Sequence, residues 1–381
     1  MTMGIVRACV ERMSGYVPGE ATEDSRVVKL NQNENRHPPS PRVAEAIAAA
    51  AGSLSRYPDS ASSSLRRAAA GIYGVEPESV IASNGSDETL LLFFQCCCDP
   101  GDEVAGFHPG YGYYATLAAK HDARYRLIDF EGEYRLPTRL DLGHAKLVLL
   151  ANPNSPTGTL FPEKEIRRLL SSTPHGLVVI DEAYADFSGQ SSIPLIREYP
   201  NLAVTRTFSK GYALAGLRVG LGFARPELLA QFDKVRDFYN VDSLAQAGAE
   251  AALRDREWLE SACAKVAAAR ERTARGLAGL GLKVYDSAAN FLLFRCESEA
   301  AAEAAQAFLR QRNILVRHFR APGLSDCLRV SIGTDADMDA FLAALADALK
   351  SSCPSEAGRI RRRRKGLLFP GLDTPRRQSD N

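Results

Sequence analysis

A lysine that directly follows an apolar, strand-like run is the first residue here that could do chemistry. Lys210 comes after LAVTRT (202–207) in the series FSKGYALAGLR, with Ser209 just before it and Arg218 eight residues beyond. In an apolar setting its amine is a usable nucleophile; the bland alternative is a surface lysine whose stem lies along apolar neighbours. Four other apolar runs end in the same way. After SVIA (79–82) comes SNGSDE, where Gly85 permits a tight turn and Ser86 and Asp87 open a helix. Backbone N–H groups at such a start form an anion site, although a plain capping box reads the same. After DEVAGF (102–107), HPGYGYY places Tyr111, a ring that either stacks on a flat heteroaromatic ligand or packs in the core. After KLVLLA (146–151), the Pro- and Gly-punctuated turn NPNSPTG presents Asn154 and Ser155. After LVVI (177–180), DEAY sets Asp181 at the end of a very apolar strand, with Tyr184 three residues on. A carboxylate there is costly unless a cation meets it; a helix cap is the alternative.

Each feature alone is ambiguous, but together they describe one ligand. The Ser86/Asp87 turn, Ser209 and Arg218 suit a phosphate, and Tyr111 suits a stacked ring. Asp181 suits a pyridinium nitrogen, Tyr184 with Asn154 or Ser155 a phenolate, and Lys210 an aldehyde. That ligand is pyridoxal phosphate. A protonated pyridine held by Asp181 draws electrons from a substrate Cα, and Lys210 can join the aldehyde and later shuttle the proton.

These residues must be held by strands that alternate with helices. The sequence predicts helices at 41–51 (capped by Ser40, with Pro41 first), near 62–73 (stopped by Gly74), and at 86–97, 111–121 and 162–171. With strands between them, the pattern implies a mostly parallel sheet covered on both faces, whose ligands collect outside the carboxyl ends of the strands. Beyond residue 225 a long helical stretch runs through 245–279. A small α/β unit follows: strands KVYDS and NFLLFR, a helix over 298–312, strands ILVRHF and CLRVSIG, and a closing helix near 336–349. The expected division is an arm (1–40), a large domain (41–280), a small C-terminal domain completed by the arm (281–350), and a tail (351–381).

The 381 residues are 45% hydrophobic and 24% charged, an ordinary globular composition. No apolar run approaches the roughly 20 residues that cross a bilayer, and no secretory leader is evident, so the expected location is the cytoplasm. The eight cysteines include the consecutive Cys96, Cys97 and Cys98, and none shows metal-ligand spacing. Free thiols and no metal are expected. The net charge of +1 hides a tail with eight basic and three acidic residues, so that the body is mildly acidic and no nucleic-acid platform. The tail itself reads as a disordered extension.

The series NGSDE, PGYGYY, NPNSPTG, DEAY and SKGYALAGLR resembles, in order and spacing, the fold-type I aminotransferases, and within them the histidinol-phosphate aminotransferase family. The resemblance covers residues 14 to 350, and SKGYALAGLRVG and DEAYADF are close to diagnostic of that branch. It implies an α/β fold with a seven-stranded-type, mostly parallel sheet. It makes Lys210 the Schiff-base lysine, Asp181 the ring-nitrogen partner, Tyr184 the partner of the ring oxygen and Tyr111 the stacking ring. It assigns Ser86, Asp87, Thr207, Ser209 and Arg218 to the phosphate cup. Tyr57, in SRYPD, would reach the cofactor phosphate of a second subunit, which implies a homodimer. Arg329, in LRVSIG, matches the arginine for a substrate carboxylate, a group a guanidinium can hold with two parallel hydrogen bonds. Arg317, in ILVRHF, matches the position for a substrate phosphate, and Tyr16, in SGYVPG, a substrate-side tyrosine. Many members read NPNNPTG; here Ser155 stands where the asparagine before PTG would bond the ring oxygen.

The implied reaction is ping-pong transamination between L-histidinol phosphate and 2-oxoglutarate, with Arg317 and Arg329 favouring that substrate pair. Aromatic amino acids are the alternative substrates on the same cofactor, and a phosphothreonine decarboxylase of cobalamin synthesis is an alternative reaction. An effector-sensing regulator would need a DNA-binding module, for which the arm is too short.

Overall fold

A computed structural model of the chain describes residues 4–16 and 19–352. All but the first two residues of the expected basic tail lie outside the described residues.

The expected alternation of strand and helix builds a seven-stranded sheet. Its strands are β1 (Val80–Ser83), β2 (Glu103–His108), β3 (Arg124–Asp129), β4 (Leu147–Ala151), β5 (Leu177–Asp181), β6 (Leu202–Thr207) and β7 (Gly220–Phe223). They lie in the order β1-β7-β6-β5-β4-β2-β3. Only β7 runs against the rest, antiparallel to both β1 and β6. Every residue of β4, β5 and β6 is buried, which is why these strands read as unbroken apolar runs. The helices begin and end as their caps dictate. Ser40 Oγ accepts the Arg42 N–H ahead of helix Pro41–Ala51, and Gly74, at φ +66°, closes helix Ser63–Tyr73.

Two strands of this sheet give no clear signal in the sequence. β3 (RYRLID) is an edge strand with polar side chains left partly exposed, so no apolar run marks it. β7 (GLGF) is fully buried but half glycine, because a Cβ at Gly222 would meet Thr89 and Ile81. The helical stretch over 245–279 is two helices, Ser243–Arg254 and Arg256–Gly279, which meet at Asp255.

A second, antiparallel sheet contains β8 (Lys283–Val284), β9 (Phe291–Arg295), β10 (Arg317–His318) and β11 (Cys327–Ser331), ordered β10-β11-β9-β8. The run ILVRHF is divided between partners: Arg317–His318 joins this sheet, whereas Ile314–Leu315 pairs in parallel with Val28–Lys29 of the N-terminal segment. The Ser331 N–H then donates to Leu30 O at 2.9 Å, which binds that segment to β11 as well. One apolar core runs from Val148 and Ile180 of the large sheet to Phe291 and Val330 of the small one, so the crevice between the sheets has firm walls.

Candidate active site

The carboxyl ends of β1, β2, β4, β5 and β6 open into a cavity of about 660 Å³, roofed by β10, β11 and the segment around residues 31–34. All the expected site residues except Asn154 and Tyr57 line it.

At one end the chain leaves β1, turns through Gly85 (φ +81°) and enters helix Ser86–Cys97, whose first-turn N–H groups have no acceptor within the helix. Two glycines permit this close packing. A Cβ at Gly220 would overlap the Ser86 backbone nitrogen, and one at Gly85 would overlap the Arg218 guanidinium. Arg218 lies just before β7 in the left-handed conformation (φ +55°). Its Nη1 donates to Ser209 Oγ at 3.2 Å, and its Nη2 pairs with Asp87 Oδ2 at 3.3 Å. Thr207 Oγ1 accepts the Ser209 N–H at 3.1 Å. N–H groups, hydroxyls and a guanidinium therefore converge where an oxyanion fits.

Asp181, the last residue of β5, is buried at the cavity floor and meets no cation. Burial raises its pKa above the ordinary carboxylate range, and hydrogen bonds from Tyr114, Thr205 and the Ala183 N–H pull it partly back. Tyr114 Oη donates to Oδ2 at 2.8 Å and Thr205 Oγ1 to Oδ1 at 3.0 Å. Tyr111 precedes helix Tyr113–Lys120, packs edge-on to its Tyr114, and donates to Asp87 Oδ1 at 3.2 Å. Lys210 Nζ donates to Gln32 O at 3.0 Å and lies 5.9 Å from the centre of the Tyr184 ring.

At the cavity mouth, Arg317 and Arg329 stand directly opposite each other on adjacent antiparallel strands. Like charges in that register repel, and neither has an acidic partner among the described residues. Arg329 is buried; it donates to Ser155 Oγ at 3.3 Å and to Asn31 O at 3.2 Å, and its Nε has no partner. Burial lowers its pKa. Burial also raises the pKa of Tyr16, against the pull of both arginines, and Tyr16 packs edge-on to Tyr111.

Two expected residues are placed elsewhere. Asn154 is buried beside the cavity, but its Nδ2 donates to Pro109 O and Thr157 Oγ1, so its amide holds the turn together and Ser155 is the residue that faces in. Tyr57 is 80% exposed and stacks on Tyr239 at 4.5 Å, outside the cavity of its own chain. Three supporting residues escaped the reading of the sequence. Thr205 shares a strand face with Thr207, a signal available from the period of two; Tyr114 closes the run PGYGYY; and Asn33 carries no local signal, since its partners Tyr184 and Ser331 are distant in sequence.

The donor set fits pyridoxal phosphate on three structural counts. A buried carboxylate without a cation suits a pyridinium, a glycine-walled anion cradle suits a phosphate, and the Lys210 amine lines the same cavity.

Comparison with known proteins bears on the same residues. The aminotransferase class I and II family model matches residues 25–345. A histidinol-phosphate aminotransferase of Geotalea daltonii is 44% identical over 344 residues, spanning 90% of this chain and 99% of that protein. The crystal structure of a histidinol-phosphate aminotransferase from Sinorhizobium meliloti, in complex with pyridoxal-5'-phosphate, superimposes with a TM-score of 0.84 at 28% identity, over 92% of this chain and 99% of that one. An L-threonine-O-3-phosphate decarboxylase from Porphyromonas gingivalis (TM-score 0.76, 21% identity, 85% of this chain and 100% of that one) shares the fold alone.

Proposed function

This chain belongs to the class I and II aminotransferases, pyridoxal-phosphate enzymes, and from that premise we propose that it moves the amino group of L-histidinol phosphate to 2-oxoglutarate, as a cytoplasmic homodimer. The observation that carries the choice of substrate is the pair Arg317 and Arg329, face to face and without an acidic partner among the described residues. Their mutual repulsion is offset only by an anion, and two guanidinia match a phosphate dianion in one half-reaction and a dicarboxylate in the other. Arg329 serves mainly the glutamate carboxylate, and the phosphate is shared between both arginines.

Bound pyridoxal phosphate supplies a protonated pyridine ring that draws electron density from the substrate Cα. Asp181 holds the proton on the ring nitrogen, which gives the buried carboxylate its missing cation. Ser86, Thr207, Ser209, Arg218 and the backbone N–H of Asp87 would hold the phosphate, and Tyr111 would serve as the stacking ring. Tyr184, with Ser155, faces the ring oxygen. Lys210 Nζ, which lines the cavity, would be the amine that holds the cofactor through its aldehyde and the base that would carry the substrate Cα proton. Tyr16 and Phe319 close over the aromatic end of the substrate and exclude water from these proton transfers. Tyr57 reaches the cofactor of the partner subunit.

Single-turnover spectra of the loaded enzyme test the substrate. Histidinol phosphate is expected to bleach the visible band of the bound cofactor at far lower concentration than phenylalanine. Bleaching by phenylalanine alone would remove histidinol phosphate as the substrate and leave the family assignment standing.

A further inference from the structure

The segment Leu30–Asn35 runs between the two sheets, and its polar atoms are shared between them. Asn33 is the most buried of its polar residues, 1% exposed and at φ +57°, a conformation that asparagine tolerates better than most residues. Its Nδ2 is 2.9 Å from Tyr184 Oη, and its Oδ1 is 3.0 Å from Ser331 Oγ. Its backbone N–H donates to the same Ser331 Oγ at 2.8 Å, and its backbone oxygen accepts from Asn290 Nδ2 at 2.9 Å.

Accounting for donors fixes the direction of this chain. Ser331 is buried, so its hydroxyl proton needs an acceptor, and Asn33 Oδ1 is the one within reach among the described residues. The amide oxygen therefore faces Ser331, and the amide nitrogen faces Tyr184 and donates to it. Tyr184 Oη, already holding one donated proton, directs its own proton into the cavity. A hydroxyl that accepts a hydrogen bond is also a stronger donor.

We propose that Asn33, oriented by Ser331, is a positioning residue that aims and strengthens the Tyr184 hydroxyl as donor to the ring oxygen of the cofactor. The inference rests on the reading above, in which Tyr184 faces that oxygen. Stabilising the ring oxygen as an anion weakens its hold on the proton of the neighbouring conjugated nitrogen. The pH midpoint of the cofactor's visible band therefore reports the relay. Lys210, Arg329, Tyr16 and Tyr111 also face Tyr184, with Arg317 and Asp181 beyond them, and the variants below leave all six in place.

Asn33→Gly keeps the left-handed backbone and both backbone hydrogen bonds, and deletes only the amide. In the loaded enzyme it is expected to raise the midpoint by about half a pH unit, roughly threefold in the dissociation constant. In a Tyr184→Phe background the same change is expected to have no effect, because the relay has lost its recipient. An unchanged midpoint in the single variant, or an equal shift in both backgrounds, overturns the proposal. Ser331→Ala, which frees the amide to turn over, repeats the test should Asn33→Gly fail to fold; it too is expected to raise the midpoint, and no shift overturns the relay. An unmodified protein with no cofactor band at all would sink the underlying reading, an outcome distinct from a band that does not move.

Discussion

At the scale of single residues, the site holds two guanidinia, Arg317 and Arg329, that the described residues leave without a counter-ion. Arg329→Lys keeps the charge but loses the planar fork, and is expected to lower kcat/KM for glutamate by about tenfold to a hundredfold, mostly through KM. Arg317→Ala is expected to weaken histidinol phosphate much more than glutamate; steady-state kinetics of the two half-reactions measure the difference. Asp181 makes the opposite kind of prediction. Burial raises its pKa, so the folded, cofactor-free protein holds that proton more tightly than the unfolded chain does. The stability it contributes is complete below the ordinary carboxylate range and is lost as pH rises through the raised value. Asp181→Asn escapes that loss: its Oδ1 can keep the bonds from Thr205 and Ala183, and its Nδ2 can donate to Tyr114. The cofactor-free variant should therefore unfold at a higher temperature than the parent at alkaline pH, with the gap closing toward acid, while the cofactor is retained far less well. Thermal unfolding of both forms across pH checks this. Lys210, Asp181 and Tyr111 were legible in the sequence because each stands at or just beyond the end of an apolar strand, and Arg218 through the series that also carries Lys210. Thr205 and Tyr114 carried weaker signals, in the strand's period of two and at the close of PGYGYY, and Asn33 carried none, since what marks it is partners distant in sequence.

At the scale of elements, the anion cradle depends on β7 lying hard against the start of helix Ser86–Cys97. Gly220→Ala drives a methyl group into the Ser86 backbone nitrogen. It is expected to cost about 1–3 kcal/mol of stability and to release the cofactor in dialysis, whereas Gly216→Ala, in open space, should do neither. The parallel strands β4, β5 and β6 announced themselves through burial on both faces, and the helices through their caps. β3 and β7 stayed hidden for opposite physical reasons, one too polar at its edge and the other stripped of side chains by close packing. The reading of ILVRHF as one strand failed because two partners, the N-terminal segment and β11, divide it after Leu315.

At the scale of the whole molecule, Tyr57, Phe238 and Tyr239 form an exposed aromatic patch on one face. In the proposed dimer a second copy covers this patch and Tyr57 reaches the neighbouring cofactor, so the loaded protein is expected to sediment as a dimer. Tyr57→Phe should then loosen the cofactor without changing that mass. No described helix is long and apolar enough to cross a membrane. The order of the strand-end motifs made the large sheet legible, whereas the expected role of Tyr57 toward a second subunit came from the resemblance of SRYPD alone. The central claim is that Lys210 is the amine to which the cofactor is joined. Borohydride reduction of the loaded enzyme, followed by peptide mapping, tests it most directly. A phosphopyridoxyl group on Lys210, absent from Lys210→Ala, is the predicted result; an undiminished adduct in that variant, at any other lysine, would contradict it.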